Sequence, residues 1–297
     1  MHREIIQRLI EHGYEGCVRD ELFGGQEDLQ NKVIRVVGNP AERFKEDPSR
    51  ILRALYLAAR LDFEIESNTF QSIKENIDLL QLVPVELVGK ILMKVLKHNC
   101  MHRFMGFLPE TGALKYVFPE LVHTVGLPQN PKYHDANVYD HILRVVKSAE
   151  TNHPGDIVMI LSAVFHDVAK GMKGIRGVNK EGQPNDIGHE EAGVPIAKQA
   201  LIRLQFGKEI AEQVAFIVKF HGIRLGDNPK RATVVRLLRK MSTYTHFKNK
   251  QQLIEGVDRL INFMQCDADG FNPSFGAEMK GQNNLLRSAM MEVLENT

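Results

Sequence analysis

The sequence predicts a mainly α-helical protein with a short α/β segment at its N-terminus. Two observations lead to this fold class. From Pro40 almost to the end of the chain, apolar residues recur with a period near 3.6, which is typical of amphipathic helices. A strand-like run is found only at residues 32–37, where the turn Gly38-Asn39-Pro40 closes it.

The elements are expected in the following order. An amphipathic helix at residues 1–13 and the short strand come first. Asp47 followed by Pro48 is expected to begin the next helix, as an N-cap and a proline in the first turn. The segment VGLPQNPKYHDANVY predicts a loop and a domain boundary, and the tail from Asn272 is polar and weakly patterned. Further helices are predicted over residues 49–61, 68–80, 84–97, 102–111, 139–149, 156–170, 190–204, 208–221, 234–241 and 250–265.

The composition is that of an ordinary globular protein, with 43% hydrophobic and 25% charged residues among 297. Because 38 Lys and Arg balance 37 Asp and Glu, the net charge favours neither nucleic acid nor a membrane as partner. Cys17, Cys100 and Cys266 are far apart, which indicates reduced thiols and argues against a zinc ribbon. No apolar run could span a bilayer and the N-terminus is too charged for a signal peptide, so we expect a cytoplasmic protein with no membrane partner.

The stretch that organises the second half is DIVMILSAVFHDVAK, residues 156–170. Its largely apolar residues 158–165 predict a buried helix and lead directly into His166 and Asp167. A buried carboxylate without a partner costs several kcal/mol, so a partner must lie opposite Asp167. The candidates are a metal ion and the other histidines of the chain.

Further histidines and aspartates stand at the ends of successive predicted helices: His141, His189, His221, Asp267 and Asp269. Neutral imidazoles with carboxylates suit a divalent transition ion, which can activate a water. Each residue alone has a simpler explanation, because histidines at helix ends often cap the helix or face solvent, and the two aspartates could cap a helix end or open a turn. Their order along the chain favours a metal site.

That order resembles the HD-domain phosphohydrolases, over roughly residues 134–270. The resemblance implies an all-helical HD domain and assigns three sets of residues. The first metal would be held by His141, His166, Asp167 and Asp269, and a second metal or the substrate by His189 and His221. Asp269 is preferred to Asp267 because CDADG resembles the Cys-Glu-Ala-Asp-Ala stretch that closes this domain in some relatives. His166, Asp167 and Lys170 would be catalytic, with the Lys170 cation helping to hold a phosphate. The ion, whether Mn, Ni, Co, Mg or Fe, is left open.

The segment NPAERFKEDPSRILRALYLAARLDFEIE resembles the neck of the bacterial-type tRNA nucleotidyltransferase and poly(A) polymerase family. In that family a Glu-Asp-x-x-Arg motif, here Glu46, Asp47 and Arg50, reads the base of the incoming nucleotide, and Arg53 is carried over with it. Asp47 and Arg50 lie three apart and thus share a helix face. The alternative is an Asp47 N-cap with Arg50 as its surface partner.

The resemblance also shows a departure. Gly16-Cys17-Val18-Arg19-Asp20 is similar to the end of a loop in that family's polymerising head, yet the strand bearing Asp-x-Asp does not follow, and no Asp-x-Asp occurs before residue 267. Nucleotide addition, which needs that pair for its metal ions, is therefore not expected. We expect a vestigial head at 1–38, a helical neck and body at 39–125, the HD domain at 126–275 and a tail at 276–297.

The leading expectation is a metal-dependent phosphohydrolase or phosphodiesterase acting on nucleotide or RNA-end phosphoesters. Two alternatives are kept. One is a non-catalytic RNA-binding module, with the run KRATVVRLLRK as a phosphate-contacting face, although such a run also fits a solvated helix face. The other is tRNA 3′-end synthesis with a head supplied by another chain. The partners expected are a nucleotide or RNA 3′ end, and tRNA.

Overall fold

The computed structural model describes residues 24–226, 228–244 and 247–296. The helix predicted at residues 1–13 and the Gly16–Asp20 loop lie outside the described residues. The fold class is confirmed, because the described chain is mainly α-helical. The chain divides into two compact units between Val83 and Pro84. The proposed domain limits at 38, 125 and 275 rest on the family resemblance and stay predictions.

The first unit combines short helices with one pair of very short strands. β1 (Val33–Ile34) pairs in parallel with β2 (Glu64–Ile65). Its ladder is shorter than the predicted strand, because among the described residues only Val33 and Ile34 pair with β2, at Glu64 and Ile65. The helices are α1 (Gly25–Gln30), α2 (Pro40–Glu46), α3 (Ser49–Leu61) and α4 (Ser67–Glu75), followed by a 3-10 helix at Ile77–Leu82.

The start of α3 agrees with the predicted capping. Asp47 has an extended backbone, and its Oδ1 accepts hydrogen bonds from the backbone N and the Oγ of Ser49 at 3.1 and 2.6 Å. This contact satisfies an amide that has no partner within the helix. α3 then buries Ile51, Leu52 and Leu55 on one face.

The second unit is built from longer helices: α5 (Val85–Lys97), α6 (Met101–Thr111), α7 (Leu114–Val117), α8 (Val138–Asn152), α9 (Ile157–Phe165), α10 (His189–Arg203), α11 (Lys208–Phe220), α12 (Arg231–Ser242), α13 (Lys250–Ala268) and α14 (Pro273–Glu295), with a 3-10 helix at Pro119–Thr124. An all-helical HD domain was expected, but this unit also contains strands. β3 (Gly177–Val178) and β4 (Pro184–Asn185) form a small antiparallel hairpin in the loop between α9 and α10.

The weakly patterned tail is a helix in the structure, α14, and the expected limit at residue 275 falls within it. Its buried residues Met279, Asn283, Leu286 and Met290 form a stripe with helical spacing. Asn283 interrupts that stripe in the sequence. In the structure its Nδ2 donates to the carbonyl of Met264 on α13, so a polar residue occupies a core position.

The core of the second unit surrounds α9. All residues from Val158 to Phe165 are buried, which confirms the buried helix predicted there. Helices α8, α11 and α13 each pack against α9, and α10 packs against α11. The helix itself ends at Phe165, earlier than predicted, and the chain then turns through His166–Lys170 to Gly171, which has a left-handed φ of 82°. No helix among the described residues combines the length and the apolar character needed to cross a membrane.

Candidate metal centre

Five helices bring six acidic and imidazole side chains together. His141 lies in the first turn of α8, which Asn137 caps by accepting from the amide of Asp140 at 3.0 Å. The remaining five residues stand at or near helix ends: His166 and Asp167 directly after α9, His189 at the start of α10, His221 directly after α11, and Asp267 in the last turn of α13. Because α8, α11 and α13 pack around α9, these ends converge on one place.

The first cluster consists of His141, His166 and Asp267, all three buried. The Nε2 atoms of the two histidines lie 3.2 Å apart. Oδ1 of Asp267 is 3.1 Å from Nε2 of His141 and 3.4 Å from Nε2 of His166. Three potential ligand atoms from three helices therefore surround one point.

The second cluster consists of Asp167, His189 and His221. The two Nε2 atoms are 3.3 Å apart, and Oδ1 of Asp167 lies 3.2 Å from that of His189 and 3.7 Å from that of His221. The other oxygen of Asp167, Oδ2, belongs to the first cluster, at 3.3 Å from Nε2 of His166 and 3.5 Å from Nε2 of His141. Asp167 thus presents one oxygen to each cluster.

The histidine tautomers suit metal ligation. Nδ1 of His166, His189 and His221 lies 2.8 to 3.0 Å from the carbonyl oxygen of the residue three positions earlier in the chain. A carbonyl can only accept, so each Nδ1 carries the hydrogen. In the neutral ring Nε2 then carries a lone pair that points into the cluster. A backbone bond of this kind is the usual way to orient a metal-binding imidazole.

These donors fit a divalent metal ion. Ligand atoms at about 2.1 Å from an ion lie roughly 3.0 to 3.4 Å from one another, for right-angled to tetrahedral coordination. Most of the distances within the two clusters fall within or close to that range. Imidazole and carboxylate donors are those that Zn, Mn, Fe, Co and Ni accept. The His-Asp clusters could hold two ions that share Asp167.

The carboxylates of the centre are strongly stabilised as anions. Burial alone would raise the pKa of Asp167, but the charges of His166 in its protonated form and of Lys170 outweigh burial and hold that pKa well below its usual range. In Asp267 burial is likewise outweighed, here by hydrogen bonds from Nε2 of His141 and of His166 when these nitrogens are protonated, and the pKa is again well below its usual range. Both side chains are therefore anionic ligands at neutral pH.

Lys170 lies at the edge of the centre, where the sequence places it. Its Nζ is 2.8 Å from Oδ2 of Asp167 and donates to Oε1 of Gln129 at 3.0 Å. The side chain is 13% exposed, against 1% for that of Asp167. The ammonium group is thus fixed between the buried carboxylate and solvent.

The choice of Asp269 as the last ligand is not supported by the geometry. Asp269 accepts from Ser148 Oγ at 2.6 Å through Oδ2 and forms an ion pair with Lys280 through Oδ1. Asp267 takes the place in the first cluster instead. Residues two apart at a helix end point about 200° apart, so only one of the two can face the site.

The four residues carried over from the neck motif lie in the first unit and bond to one another locally. Nη1 of Arg50 donates to Oε2 of Glu46 at 2.8 Å, and Nη1 of Arg53 lies 3.6 Å from Oδ2 of Asp47. Asp47 also caps α3, as described above. The expected Asp47 and Arg50 pair is not formed, because Arg50 binds Glu46 and the carbonyl of Arg43. Their role toward a nucleotide stays a prediction.

Two neighbours of the centre were not expected from the sequence. The ring of His134 meets that of His141 edge to face, with centroids 4.9 Å apart. Burial first, and then the charges of His141 and Lys170, lower the pKa of His134 to about 3. Oε1 of Gln129 accepts a hydrogen bond from Nζ of Lys170. Both residues come from the polar loop before α8, where nothing in the sequence distinguishes them from surface residues.

Two family models match the chain. Residues 62–124 match the family described as the probable RNA and SrmB-binding site of polymerase A. Residues 138–244 match the HD domain. The second match covers His141, His166, Asp167, His189 and His221 and ends before Asp267.

The relatives are multifunctional CCA proteins, and a solved structure of similar fold is a CCA-adding enzyme. The multifunctional CCA protein of Acinetobacter baumannii is 29% identical over 91% of this chain and 63% of its own length. That of Acidovorax sp. strain JS42 is 30% identical over 84% of this chain and 56% of its own. The fold is also that of the Bacillus stearothermophilus CCA-adding enzyme solved with CTP, with a TM-score of 0.54, 19% identity, and coverage of 92% of this chain and 54% of that one.

The fold and the two His-Asp clusters define an HD-domain protein. The polymerase A match precedes the HD match, and over most of its length the chain is similar to multifunctional CCA proteins and has the fold of a CCA-adding enzyme, in line with the resemblance predicted from the sequence. It spans less than two thirds of the length of the relatives from Acinetobacter and Acidovorax.

Proposed function

We propose that the protein is a metal-dependent phosphohydrolase that hydrolyses phosphoesters of nucleotides or RNA ends. The observation that carries this proposal is the pair of clusters that share Asp167, in which Nε2 and carboxylate oxygen atoms lie at metal-ligand spacing. His141, His166, Asp167 and Asp267 would hold one ion. Asp167, His189 and His221 would hold the other.

Divalent ions held there would supply Lewis acidity, which polarises a phosphoester and lowers the pKa of water. The chain's own residues set the conditions for that chemistry. The side chain of His189 is 14% exposed, more than those of the other histidines in the centre, so substrate would enter on its side. Lys170 places an ammonium group beside Asp167, where it would bind a phosphate oxygen of the substrate. The apolar residues of α9 keep bulk water from the other side.

The test is hydrolysis by the purified chain after chelation and addition of Mn²⁺, Ni²⁺, Co²⁺, Mg²⁺ or Fe²⁺. The substrates are a 2′,3′-cyclic nucleotide, a nucleotide monoester and an RNA oligomer with a terminal phosphate. We expect turnover that requires the added metal and falls by 10³-fold or more, roughly, in Asp167→Ala. Unchanged turnover in Asp167→Ala would exclude this centre.

The match of residues 62–124 favours RNA as a second ligand of the chain, with tRNA as the proposed form. CCA addition is the activity named for the relatives, and in this chain it would need a head supplied by another chain. Binding of a labelled tRNA to the purified chain, followed by assays for nucleotide incorporation and phosphoester hydrolysis, separates these functions. A chain that binds no tRNA at low salt would contradict RNA as its ligand.

A further inference from the structure

The strongest local excess of positive charge lies on α12. From Lys230 to Ser242 the sequence has five cations and no Asp or Glu, although the whole chain is nearly neutral, with 38 Lys and Arg against 37 Asp and Glu. The cations are Lys230, Arg231, Arg236, Arg239 and Lys240. A solvated helix of an ordinary protein carries charges of both signs, and this one does not.

All five of these side chains are exposed, whereas Val234, Leu238 and Met241 bury the opposite face of α12. Within the described residues none of the five cations has an ion-pair partner. Other surface arginines do have one: Arg203 binds Glu120 and Arg287 binds Asp258. The positive face of α12 is therefore not neutralised by the rest of the described chain.

The three cations in the second half of α12 lie close together. Arg236 is three residues from Arg239 and four from Lys240, so its side chain emerges beside each of theirs on the helix surface, with Cβ atoms about 5–6 Å apart. Such a row can contact successive phosphates of one strand. It does not need to read bases, because Coulomb attraction to phosphate is independent of sequence.

One cation of this row contacts the residue that precedes a histidine of the metal centre. Nζ of Lys240 lies 5.9 Å from the ring centroid of Phe220, the last residue of α11. The next residue is His221, whose Nε2 faces His189 at 3.3 Å in the second cluster. A chain of phosphates lying along α12 would thus lead toward the side of the centre that His189 leaves open.

We propose that the exposed face of α12 formed by Arg236, Arg239 and Lys240 binds the phosphodiester backbone of RNA and directs an RNA end to the metal centre. This proposal rests on the proposed hydrolytic function and narrows its substrate class: the substrate is a polynucleotide whose end reaches the centre, and a mononucleotide is bound less well. An anionic membrane is the less suitable partner, because Val234, Leu238 and Met241 are buried and no large apolar residue of α12 is fully exposed to insert into lipid.

The test compares two double variants of the full chain that each lose two positive charges. Arg236→Gln with Arg239→Gln removes two cations of the row and spares Lys240, which contacts Phe220. The matched control is Lys208→Gln with Lys250→Gln. Both control lysines are exposed and stand at the first residues of α11 and α13, about 18 Å from Phe220 and about 26 Å from Asp267 by helical rise.

The first measurement is equilibrium binding of a fluorescent single-stranded RNA 12-mer at several salt concentrations. We expect Arg236→Gln/Arg239→Gln to weaken binding about tenfold or more at low salt and to reduce the slope of log K against log salt by about 1.4, the value for two lost phosphate contacts. The control variant should keep the wild-type slope. Equal slopes in both variants and the wild type would overturn the proposal.

The second measurement compares turnover of an RNA oligomer ending in a 2′,3′-cyclic phosphate with turnover of the corresponding cyclic mononucleotide. We expect the α12 variant to have a raised KM for the oligomer and an unchanged kcat/KM for the mononucleotide. An equal loss on both substrates would indicate damage to the centre and would contradict this role of α12. If no substrate is hydrolysed by the wild type but the α12 variant still loses its salt-dependent RNA binding, the RNA surface stands and the hydrolytic function fails.

Binding to vesicles of phosphatidylserine and phosphatidylcholine tests whether α12 binds the phosphates of lipids instead of those of RNA. We expect no difference between wild type and the α12 variant in vesicle sedimentation. Loss of vesicle binding in the variant, with RNA binding unchanged, would replace RNA by a lipid surface as the partner of α12 and overturn the proposal.

Discussion

His189 and His221 present their Nε2 atoms to each other at 3.3 Å, while Nδ1 of each ring donates to the backbone carbonyl three residues earlier. In the neutral rings two lone pairs would meet at this distance, which is unfavourable unless a proton on one ring or a metal ion lies between them. Oδ1 of Asp167 adds a negative charge at 3.2 Å from His189. A divalent ion is the cation that this arrangement suits.

The first prediction concerns the number of ions. His221→Ala removes a donor of the second cluster and leaves His141, His166, Asp167 and Asp267 in place, so we expect bound metal to fall from two ions per chain to one. The measurement is metal content by inductively coupled plasma mass spectrometry after dialysis. The exposed His98 serves as the control, and His98→Ala should keep both ions. Two ions retained in His221→Ala would exclude this residue as a ligand.

The second prediction separates the two aspartates at the end of α13. Asp267→Asn replaces a buried anionic ligand, and we expect loss of the first ion and of metal-dependent turnover. Asp269→Asn disturbs a partly exposed ion pair with Lys280, for which a loss of at most about 1 kcal/mol in the free energy of unfolding is expected. Metal content, turnover and urea unfolding measured on both variants check this. Greater metal loss in Asp269→Asn than in Asp267→Asn would reverse the assignment.

Asp267 and Asp269 also show how far the sequence alone could go. Residue types and helix ends were enough to bring His141, His166, Asp167, His189 and His221 together as candidates. The choice between two aspartates depends on the rotation of α13 about its axis, which the apolar pattern fixes only to within a fraction of a turn. The similarity of CDADG to a stretch in relatives favoured Asp269, whereas the structure places Asp267 in the first cluster.

Two further differences between the predictions from sequence and the structure also have physical reasons. α14 was expected to be a weakly patterned tail because Asn283 interrupts its apolar stripe, and only a bond across to the carbonyl of Met264 allows that amide a core position. His134 and Gln129 reach the centre from a loop, and loops have no periodicity from which a side-chain direction could be predicted. The sequence pattern therefore predicts the helices better than it predicts the residues that surround the metal centre.

The third prediction concerns Gly270, three residues after Asp267. A Cβ added there would lie 2.5 Å from both Cε1 and Nδ1 of His141 and 2.8 Å from Cγ2 of Val145. Gly270→Ala should therefore displace the imidazole without removing a ligand, and lower metal affinity by about 10- to 100-fold, as loss of groups that orient a ligand does. Metal affinity is measured by competition with a chromophoric chelator.

The control for Gly270→Ala is Gly281→Ala on the exposed face of α14, where an added Cβ has no neighbour within 4 Å. That change should leave metal affinity as it is and raise the free energy of unfolding by about 0.5–1 kcal/mol, because glycine disfavours a helix interior. Unchanged metal affinity in Gly270→Ala would show that the first cluster tolerates a shift of His141.

The fourth prediction is a pH dependence of stability that arises at Glu150 on α8. Its carboxyl group accepts from the backbone amides of Met101 and His102 at the start of α6. Burial raises the pKa of Glu150 and outweighs these two hydrogen bonds, which lower it. The folded pKa thus exceeds the unfolded one, and the folded chain binds more protons between the two values. The stability contributed by Glu150 is complete below the unfolded pKa and declines as pH rises through the folded pKa.

Glu150→Gln cannot ionise, so the variant should lack this decline. We expect the free energy of unfolding of the wild type to fall relative to that of Glu150→Gln as pH rises from about 4.5 to 7, measured by urea unfolding at each pH. The comparison cancels the titration of groups that both proteins share. A difference that is constant across this range, or that changes in the opposite direction, would show that the carboxylate is not disfavoured in the folded protein.

The last prediction concerns nucleotide addition, the activity named for the solved CCA-adding enzyme of similar fold. Transfer of a nucleotide from a triphosphate requires carboxylates that hold two metal ions at the phosphates, and the sequence has no Asp-x-Asp before residue 267. The pair at Asp267 and Asp269 cannot replace it, because only Asp267 faces a cluster and Asp269 binds Ser148 and Lys280. We therefore expect this chain by itself to incorporate no labelled CMP or AMP into tRNA lacking its 3′ end, under conditions where it binds that tRNA. Denaturing gel electrophoresis of the tRNA gives the result, and extension by one to three nucleotides would mean that other acidic residues of this chain hold the triphosphate.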